Sequence, residues 1–421
     1  MHFKLYQLRR EFFINISIVV FINFLIKPFY LLFVETEVQN LLGNDYGLYF
    51  EVLSFVFLFQ FINEPGLQQF NVVKLSQTNN SKSYFDHLIS LKLALSMSFI
   101  FIVLMSGLLG GYNLKVIFWI ALGMALSSLF ILFRSSISAH GNYRTDSLIS
   151  ALDRIFLIII LLFLMQYYAN EFSIYWFVIA QVCAATLALI ISIFIYRKQN
   201  GAFHLRWSKI WNATLLKKLK PFTIIIFLMM AYTKIDGIML GYLSTQREIS
   251  VYAAGFRFFE AANMVGVLAA GILLPMYSRS IDDKPNLMKL VKTGTLILTF
   301  LLGSAVVFLL LLKTKILSFF YDQYTEYYDV VFQYIILALI PLILIHVFGP
   351  LLLSMKKLKI LSVIFFIALL TNAFLNWKLI PIYNAEGAAI ATLLTQTFAA
   401  LGTFMVAIYE YNKLEISSSK Q

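Results

Sequence analysis

Long apolar runs alternate with short polar segments over the whole chain. A helix needs about 20 apolar residues to cross a hydrocarbon core of about 30 Å, and twelve windows of the sequence satisfy this requirement. The pattern therefore predicts an all-α polytopic membrane protein. Its twelve transmembrane helices are expected at residues 12–34, 46–62, 88–110, 116–138, 148–168, 173–196, 222–243, 251–276, 289–313, 330–354, 359–380 and 386–409.

The polar connections differ in charge, and the difference predicts the orientation of the chain. Lysine and arginine are concentrated in every second connection, whereas the alternate connections contain only Lys115, Arg247 and Lys315. Because cytoplasmic loops of membrane proteins carry an excess of cations, both termini are expected in the cytoplasm. The basic segments are 1–11, 63–87, 139–147, 197–221, 277–288, 355–358 and 410–421.

The basic connection between the sixth and seventh helices predicts the domain organisation. We expect an N-terminal six-helix bundle at 1–196, a cytoplasmic basic linker at 197–221 and a C-terminal six-helix bundle at 222–421. Trp207 and Trp211 are spaced as neighbours on one helix face. The linker is therefore alternatively expected to lie on anionic lipid as a short amphipathic helix.

A weak internal repeat supports two pseudo-symmetric bundles around a central cavity. Helix one contains NFLIKPFYLLFV, in which Lys27 precedes Pro28, and helix seven contains MAYTKIDGIMLG, in which Lys234 lies close to Gly237. Interruptions at matching positions of two halves indicate the substrate site of a transporter. Pro28 and Gly237 are accordingly predicted to act as hinges.

Composition narrows the class further. Hydrophobic residues make up 60% of the chain and charged residues 13%, with a formal net charge of +12. The cations lie in short loops, so topology and not nucleic-acid binding explains the excess. With one cysteine, Cys183, an intrachain disulfide is excluded. No phosphate-binding loop, metalloprotease helix or serine nucleophile elbow is present, and neither an enzyme nor a metal or cofactor site is expected.

Four charged residues lie inside the two apolar windows 222–243 and 251–276, namely Lys234, Asp236, Arg257 and Glu260. A charge at membrane depth costs roughly 2.5 to 3.5 kcal/mol, so such residues usually face a bundle interior or a watery cavity. Counting residues from the predicted helix ends places Lys27 at a similar level in the outer half of the membrane. Lys27, Lys234 and Arg257 are therefore predicted to line a cavity that binds an anion, because arginine and lysine recognise phosphate groups.

Two other roles for these charges stay open. Lys234 could form an internal salt bridge with Glu260, and Arg257 one with Asp236, which would lock helices together. Asp236 or Glu260 could instead act as a counter-ion or couple transport to protons or sodium, since a carboxylate in a low-dielectric environment has a raised pKa.

Three segments resemble Wzx-type polysaccharide flippases of the multidrug/oligosaccharidyl-lipid/polysaccharide exporter superfamily. The segment from Asp236-Gly237 through VYAAGFRFFE to Ser278-Arg279 is similar to their seventh and eighth helices. Ile380-Pro381 through Glu386-Gly387-Ala388-Ala389 is similar to the start of their twelfth helix, although Asn384-Ala385 stands where a glycine is more usual. Leu42-Gly43 followed by Tyr46-Gly47-Leu48-Tyr49 is similar to their first outer loop and second helix.

The resemblance implies a flippase that works by alternating access in the bacterial inner membrane. Its substrate would be an undecaprenyl-pyrophosphate-linked oligosaccharide for O-antigen, capsule or exopolysaccharide synthesis. Lys27, Lys234 and Arg257 would meet the pyrophosphate and sugar acids, and no cofactor is implied. Membrane lipids would surround the protein, with a polysaccharide polymerase and a chain-length regulator as further partners and no nucleic acid.

Three other functions remain alternatives. A cation-coupled multidrug exporter of the same superfamily would need acidic or aromatic surfaces for cationic compounds. A membrane glycan polymerase or ligase would need a sizeable outer loop with catalytic residues, and the longest one here, at about 314–329, is short. A structural scaffold would have no solvated cavity.

Overall fold

The structure is a computed structural model and describes residues 25–67, 81–139 and 142–418. These residues are nearly all helical and contain no strand. Helix α1 covers 25–42 and includes a π-helical stretch at Tyr30–Val34, followed by α-helical Glu35–Leu42. The other helices are α2 (Asp45–Leu58), α3 (Gln60–Asn63), α4 (Ser81–Leu109), α5 (Leu114–Ala139), α6 (Tyr143–Ile149), α7 (Leu152–Tyr168), α8 (Ile174–Asn200), α9 (Lys209–Leu243), α10 (Gln246–Arg279), α11 (Lys284–Leu311), α12 (Lys313–Phe320), α13 (Glu326–Leu337), α14 (Leu339–Ser354) and α15 (Leu358–Ser418).

The helices confirm the predicted polytopic membrane fold. Nine helical segments of the described residues are long and apolar enough to cross a membrane. The last, Leu358–Lys413, contains the predicted windows 359–380 and 386–409. The predicted window 46–62 coincides with α2 and α3. Of the window 12–34, residues 12–24 lie outside the described residues, and the helix continues beyond 34 to Leu42.

Helix α15 changes direction between its two spans. Asn384 has φ 50° and ψ −127°, and the backbone is helical on both sides of it. The N–H of Ala385 donates to the Glu248 carboxylate at 3.2 Å, and the Tyr327 hydroxyl donates to the same oxygen at 2.8 Å. Backbone N–H groups at a new helix N-terminus need acceptors and favour negative charge. Glu248 therefore caps the second half of α15.

The described residues form two compact units. One contains the described residues up to Leu42 and Val56–Phe227, and the other contains Gly43–Phe55 and the described residues from Leu228 onward. The predicted division at 1–196, 197–221 and 222–421 stays a prediction. Within the predicted linker, 201–208 is non-helical, while Lys209 already belongs to α9, so the expected separate amphipathic helix is absent there.

In the first unit, residues 201–208 lie against the ends of α4, α5 and α8. Phe203 packs edge-on against Phe85 and Tyr196 in an aromatic cluster. The buried carboxylate of Asp86 accepts the N–H of His204 at 2.8 Å and lies 3.4 Å from Nε of Arg206. The segment is therefore fixed to the first unit by both apolar and charged contacts.

In the second unit, small residues allow α2 to approach α9 and α10 closely. A Cβ added to Gly237 would lie 2.5 Å from Oγ of Ser54, and one added to Gly241 would lie 2.1 Å from the Glu51 carboxyl carbon. Glycines four residues apart on one face are a common way for membrane helices to pack backbone to backbone. The buried carboxylate of Glu51 accepts a hydrogen bond from Gln246 at 3.1 Å, which fixes this contact at its polar end.

Replacing Gly241 by alanine is expected to destabilise the second unit by about 1–3 kcal/mol, because the new methyl group overpacks the contact with Glu51. Thermal unfolding of the purified protein in detergent measures the effect. Gly303→Ala is the matched control, since nothing lies within 4 Å of a Cβ at this position in α11. Equal unfolding temperatures for the two variants would contradict the close contact.

Candidate functional site

A buried carboxylate on α9 is the centre of a polar cluster in the second unit. Asp236 is 2% exposed. One of its oxygens accepts from Nδ2 of Asn376 at 2.5 Å. The other accepts from the hydroxyls of Thr392 at 2.8 Å and Tyr252 at 3.0 Å. The charge of Asp236 is thus surrounded by neutral hydrogen-bond donors from α10 and α15.

The kink in α15 explains why two parts of one helix meet at Asp236. Asn372 and Asn376 precede the kink by about three and two turns and lie on one face, where Nδ2 of Asn376 also donates to Oδ1 of Asn372 at 2.9 Å. Thr392 follows the kink by two turns. Its hydroxyl lies 2.9 Å from the carbonyl of Ala388 as well, so its single proton is shared between two acceptors.

A small cavity of about 10 Å³ opens beside this cluster, enough for about one water molecule or a dehydrated monovalent ion. Near it, Oδ1 of Asn376 and Oε1 of Gln396 are buried acceptors without a hydrogen-bond donor among the described residues. Buried polar groups are nearly always satisfied, so these oxygens and the carboxylate favour a bound cation or water. The lining residues are Tyr232, Thr233, Asp236, Phe256, Phe259, Asn372, Thr392 and Gln396.

The oxygen ligands around this cavity suit a hard cation. Carboxylate, amide and hydroxyl oxygens are present, and these ligands suit cations that bind oxygen. No group of three or more His, Cys, Asp or Glu side chains that could hold a metal ion occurs in the described part of the chain.

Lys234 and Glu260 form the salt bridge that the sequence left open as an alternative. Nζ of Lys234 lies 2.6 Å from Oε1 of Glu260, with the two side chains 11% and 36% exposed. Lys234 also lies 5.0 Å from the centre of the Phe256 ring. The lysine charge is thus partly neutralised within the second unit, although one face of the pair stays accessible through Glu260.

Arg257 contacts aromatic rings, and it is absent from the hydrogen-bond partners of Asp236. Its guanidinium lies 5.0 Å from the ring centre of Tyr46 and donates to the Tyr321 hydroxyl at 3.0 Å. Arg257 is 3% exposed. The alternative pairing with Asp236 is therefore wrong, because both oxygens of that carboxylate are occupied by uncharged donors.

Lys27 lies in the first unit, close to charged residues that the sequence analysis overlooked. It is within electrostatic range of Asp153, Arg154 and Arg134. Nε of Arg134 lies 2.9 Å from Oδ1 of Asp146. Burial raises the pKa of the Asp146 carboxyl, and Arg134 opposes this shift. Arg134 and Arg154 both fall inside predicted apolar windows. Their positions could therefore have identified them as candidate site residues from the sequence.

The depth of Lys27 was counted from residue 12, which lies outside the described residues, so it stays a prediction. At its other end the helix continues beyond residue 34 to Leu42. Lys27 therefore lies about fifteen residues, roughly 22 Å, from that end of the helix. Its charged neighbours come from the last turns of α5 and the first turn of α7, on the side predicted to be cytoplasmic. The convergence of Lys27 with Lys234 and Arg257 stays a prediction.

The two predicted hinges have different surroundings. Pro28 is followed at once by the π-helical stretch Tyr30–Val34, where backbone hydrogen bonding is already irregular. Gly237 lies inside the continuous helix α9 and contacts Ser54 and Phe50, which is a packing role. Hinge motion at either residue stays a prediction.

Solved structures of membrane transporters share the fold of this chain. "Lipid II flippase MurJ, inward closed conformation" matches with a TM-score of 0.71 and 17% identity over 96% of this chain and 90% of that chain. An inward-facing multidrug resistance MATE family transporter of the MOP superfamily matches with a TM-score of 0.67 and 11% identity over 96% and 99%. A MOP superfamily transporter from Pyrococcus furiosus matches with a TM-score of 0.66 and 12% identity over 96% of each chain.

The family itself is shown by the sequence. The family described as polysaccharide biosynthesis protein matches residues 12–281, more than half of the chain. The chain belongs to this family, and the predicted resemblance to polysaccharide flippases of the exporter superfamily is confirmed. No curated protein matches the chain.

Proposed function

We propose that this protein is a flippase that moves an undecaprenyl-pyrophosphate-linked oligosaccharide across the bacterial inner membrane by alternating access. Membership of the polysaccharide biosynthesis family is the observation that carries the proposal. The fold shared with a lipid II flippase supports it. The oligosaccharide would serve O-antigen, capsule or exopolysaccharide synthesis, and a polysaccharide polymerase and a chain-length regulator would act on it after transport.

Substrate binding is assigned to cations of both units. Lys27, Lys234 and Arg257 would meet the pyrophosphate and acidic sugars, with Arg134 and Arg154 adding positive charge near Lys27. Charge-assisted hydrogen bonds to phosphate are stronger than neutral ones, so a few such contacts outweigh the partial neutralisation of Lys234 by Glu260. Both termini would lie in the cytoplasm, in keeping with the cation-rich connections.

Coupling to a cation is assigned to Asp236. The buried carboxylate, the two unpartnered acceptors and the adjacent cavity support binding of sodium or a proton within the second unit. Because the ligands come from α9, α10 and both halves of α15, an ion there would hold these helices in one arrangement. A ligand that prefers one conformation shifts the population toward it, which is what ion-driven transport requires.

Reconstitution into vesicles tests the proposed activity. The purified protein is placed in liposomes with a fluorescent undecaprenyl-diphosphate oligosaccharide, and a membrane-impermeant reagent measures the fraction in the outer leaflet. Flipping well above protein-free vesicles is expected, together with competition by undecaprenyl diphosphate carrying another glycan. A lipid-linked sugar without the diphosphate should flip much more slowly.

The same vesicles separate flipping from the alternatives. Transport of a cationic dye without flipping of the lipid-linked glycan would identify a multidrug exporter. Joining of two glycan units by the purified protein would identify a polymerase or ligase. Either outcome would overturn the proposal.

A further inference from the structure

A second buried charge cluster lies in the first unit, at the end of the predicted second membrane helix. Helix α2 ends at Leu58, and the short helix α3 ends at Asn63, after which Glu64 leaves the helical conformation. The last carbonyl groups of a helix have no partner within the helix. The end of α3 therefore needs a donor, and it favours positive charge.

The donor is the side chain of Lys92 on α4, which is 0% exposed. Its ammonium donates to the carbonyl and the side-chain oxygen of Asn63, the latter at 3.1 Å, and lies 3.1 Å from Oε2 of Glu64. It also donates to the hydroxyl of Ser128 on α5. Four oxygens, from the C-terminal end of α3 and from α5, thus surround one ammonium group.

The oxygens of this cage are held in place by their own hydrogen bonds. Ser128 donates to the same Glu64 oxygen at 3.0 Å, and Ser96 donates to Oδ1 of Asn63 at 2.9 Å. The amide nitrogen of Asn63 donates to Gln60 at 3.2 Å. The protein alone therefore surrounds a single positive charge with four oxygens: one carbonyl, one amide, one carboxylate and one hydroxyl oxygen.

This ligand set is one that would hold a free monovalent cation. An ammonium group and a potassium or sodium ion have the same charge and bind the same hard oxygen donors. We propose that the cage of Asn63, Glu64 and Ser128 is a monovalent-cation site whose occupant is the covalently attached ammonium of Lys92. Removing the lysine side chain opens the cage to sodium, potassium or a small alkylammonium ion.

The covalent attachment of Lys92 makes the occupancy of the cage permanent. A tethered cation cannot leave, so the break between α3 and the following segment has one arrangement whatever the ion composition. The Lys92 cage is then insensitive to monovalent cations in the wild-type protein, and an exchangeable cation must act elsewhere in the chain. This inference does not depend on the transported substrate, and it stands or falls without the proposed flippase activity.

The test is thermal unfolding of the purified full chain in choline chloride, sodium chloride, potassium chloride or methylammonium chloride at equal ionic strength. Asp236→Asn is present in every variant, so that ions binding at Asp236 do not contribute. The protein that carries only Asp236→Asn should show the same unfolding temperature in all four salts. Lys92→Ala should unfold about 5 °C or more lower in choline, and methylammonium or sodium should restore about half of that loss by binding the folded form.

Lys378→Ala is the matched control, since this lysine lies exposed on α15 and lies 4.1 Å from the Trp377 ring centre. Its unfolding temperature should be equal in choline and methylammonium. The same lowered temperature for Lys92→Ala in all four salts would overturn the proposal, because the emptied cage would then bind no free cation.

A second arm decides the question if Lys92→Ala is not recovered from membranes. Lys92→Met removes the cation and keeps the volume, and Glu64→Gln removes the compensating negative charge. The double variant should unfold at a higher temperature than Lys92→Met alone, because a neutral cage needs no cation. Additive losses in the double variant would show that the ammonium does not balance the cage and would equally overturn the proposal.

Discussion

Replacing Asp236 by asparagine is expected to lower glycan flipping about 100-fold while the fold is retained. The amide keeps the shape of the carboxylate, and the hydroxyls of Tyr252 and Thr392 can rotate to accept its N–H groups. The negative charge that holds a cation is lost. If ion binding contributes about 3 kcal/mol of coupling free energy, its removal changes the driven rate by about two factors of ten.

Two measurements on the wild type and this variant separate coupling from stability. Flipping in vesicles with an inward sodium or proton gradient gives the rate. Thermal unfolding in sodium and choline chloride shows whether sodium stabilises the wild-type protein and whether the variant loses that stabilisation. Asp322→Asn, an exposed loop position, is the control and should behave as the wild type. Full gradient-driven flipping by Asp236→Asn would remove the carboxylate from the coupling mechanism.

The membrane fold could be predicted from the sequence because hydrophobic length is a local property. Each span needs about 20 apolar residues, and such a run is visible without any knowledge of its neighbours. Breaks in helices are partly visible for the same reason. The sequence resemblance drew attention to Asn384-Ala385 as a departure from a glycine, and Asn384 has φ 50°, a backbone region that asparagine tolerates better than most residues.

The residues of α15 around Asp236 could not be predicted, because they are uncharged and distant in the chain. The sequence marked Asp236 as a costly charge. Asn372, Asn376 and Thr392, however, lie about 140 to 160 residues further along the chain, in ordinary apolar windows. Only the packing of α9 against both halves of α15 joins them. A lone polar residue in a membrane helix is as often a local backbone contact as a ligand.

Lys92 shows the opposite case, in which the signal was present and overlooked. It lies inside the predicted window 88–110, where a charge is as costly as at Lys234. The acid that balances it, Glu64, lies just beyond the window 46–62 and looked like a loop residue. The pairing of Lys92 with Glu64 became visible only in the structure, where α3 ends at Asn63 and directs its last carbonyl toward α4.

Exchanging the charges of Lys234 and Glu260 is expected to restore the salt bridge without restoring flipping. Lys234→Glu alone would place two carboxylates where Nζ and Oε1 are now 2.6 Å apart. The pair is partly exposed, so the cost to stability is about 1 kcal/mol. Flipping should fall by about 10- to 100-fold, because a charge-assisted hydrogen bond to the substrate anion contributes about 1.5–3 kcal/mol.

The double variant Lys234→Glu with Glu260→Lys distinguishes the two roles of the lysine. If the pair only locks α9 to α10, the exchanged pair restores both the unfolding temperature and flipping. If Lys234 also binds the diphosphate, the unfolding temperature recovers while flipping stays low, because the ammonium now projects from α10 and the carboxylate from α9. Lys234→Arg is the control that keeps the charge in place, and it should retain most of the activity. Recovery of flipping in the exchanged variant would contradict anion binding by Lys234 and would leave that role to Lys27 and Arg257.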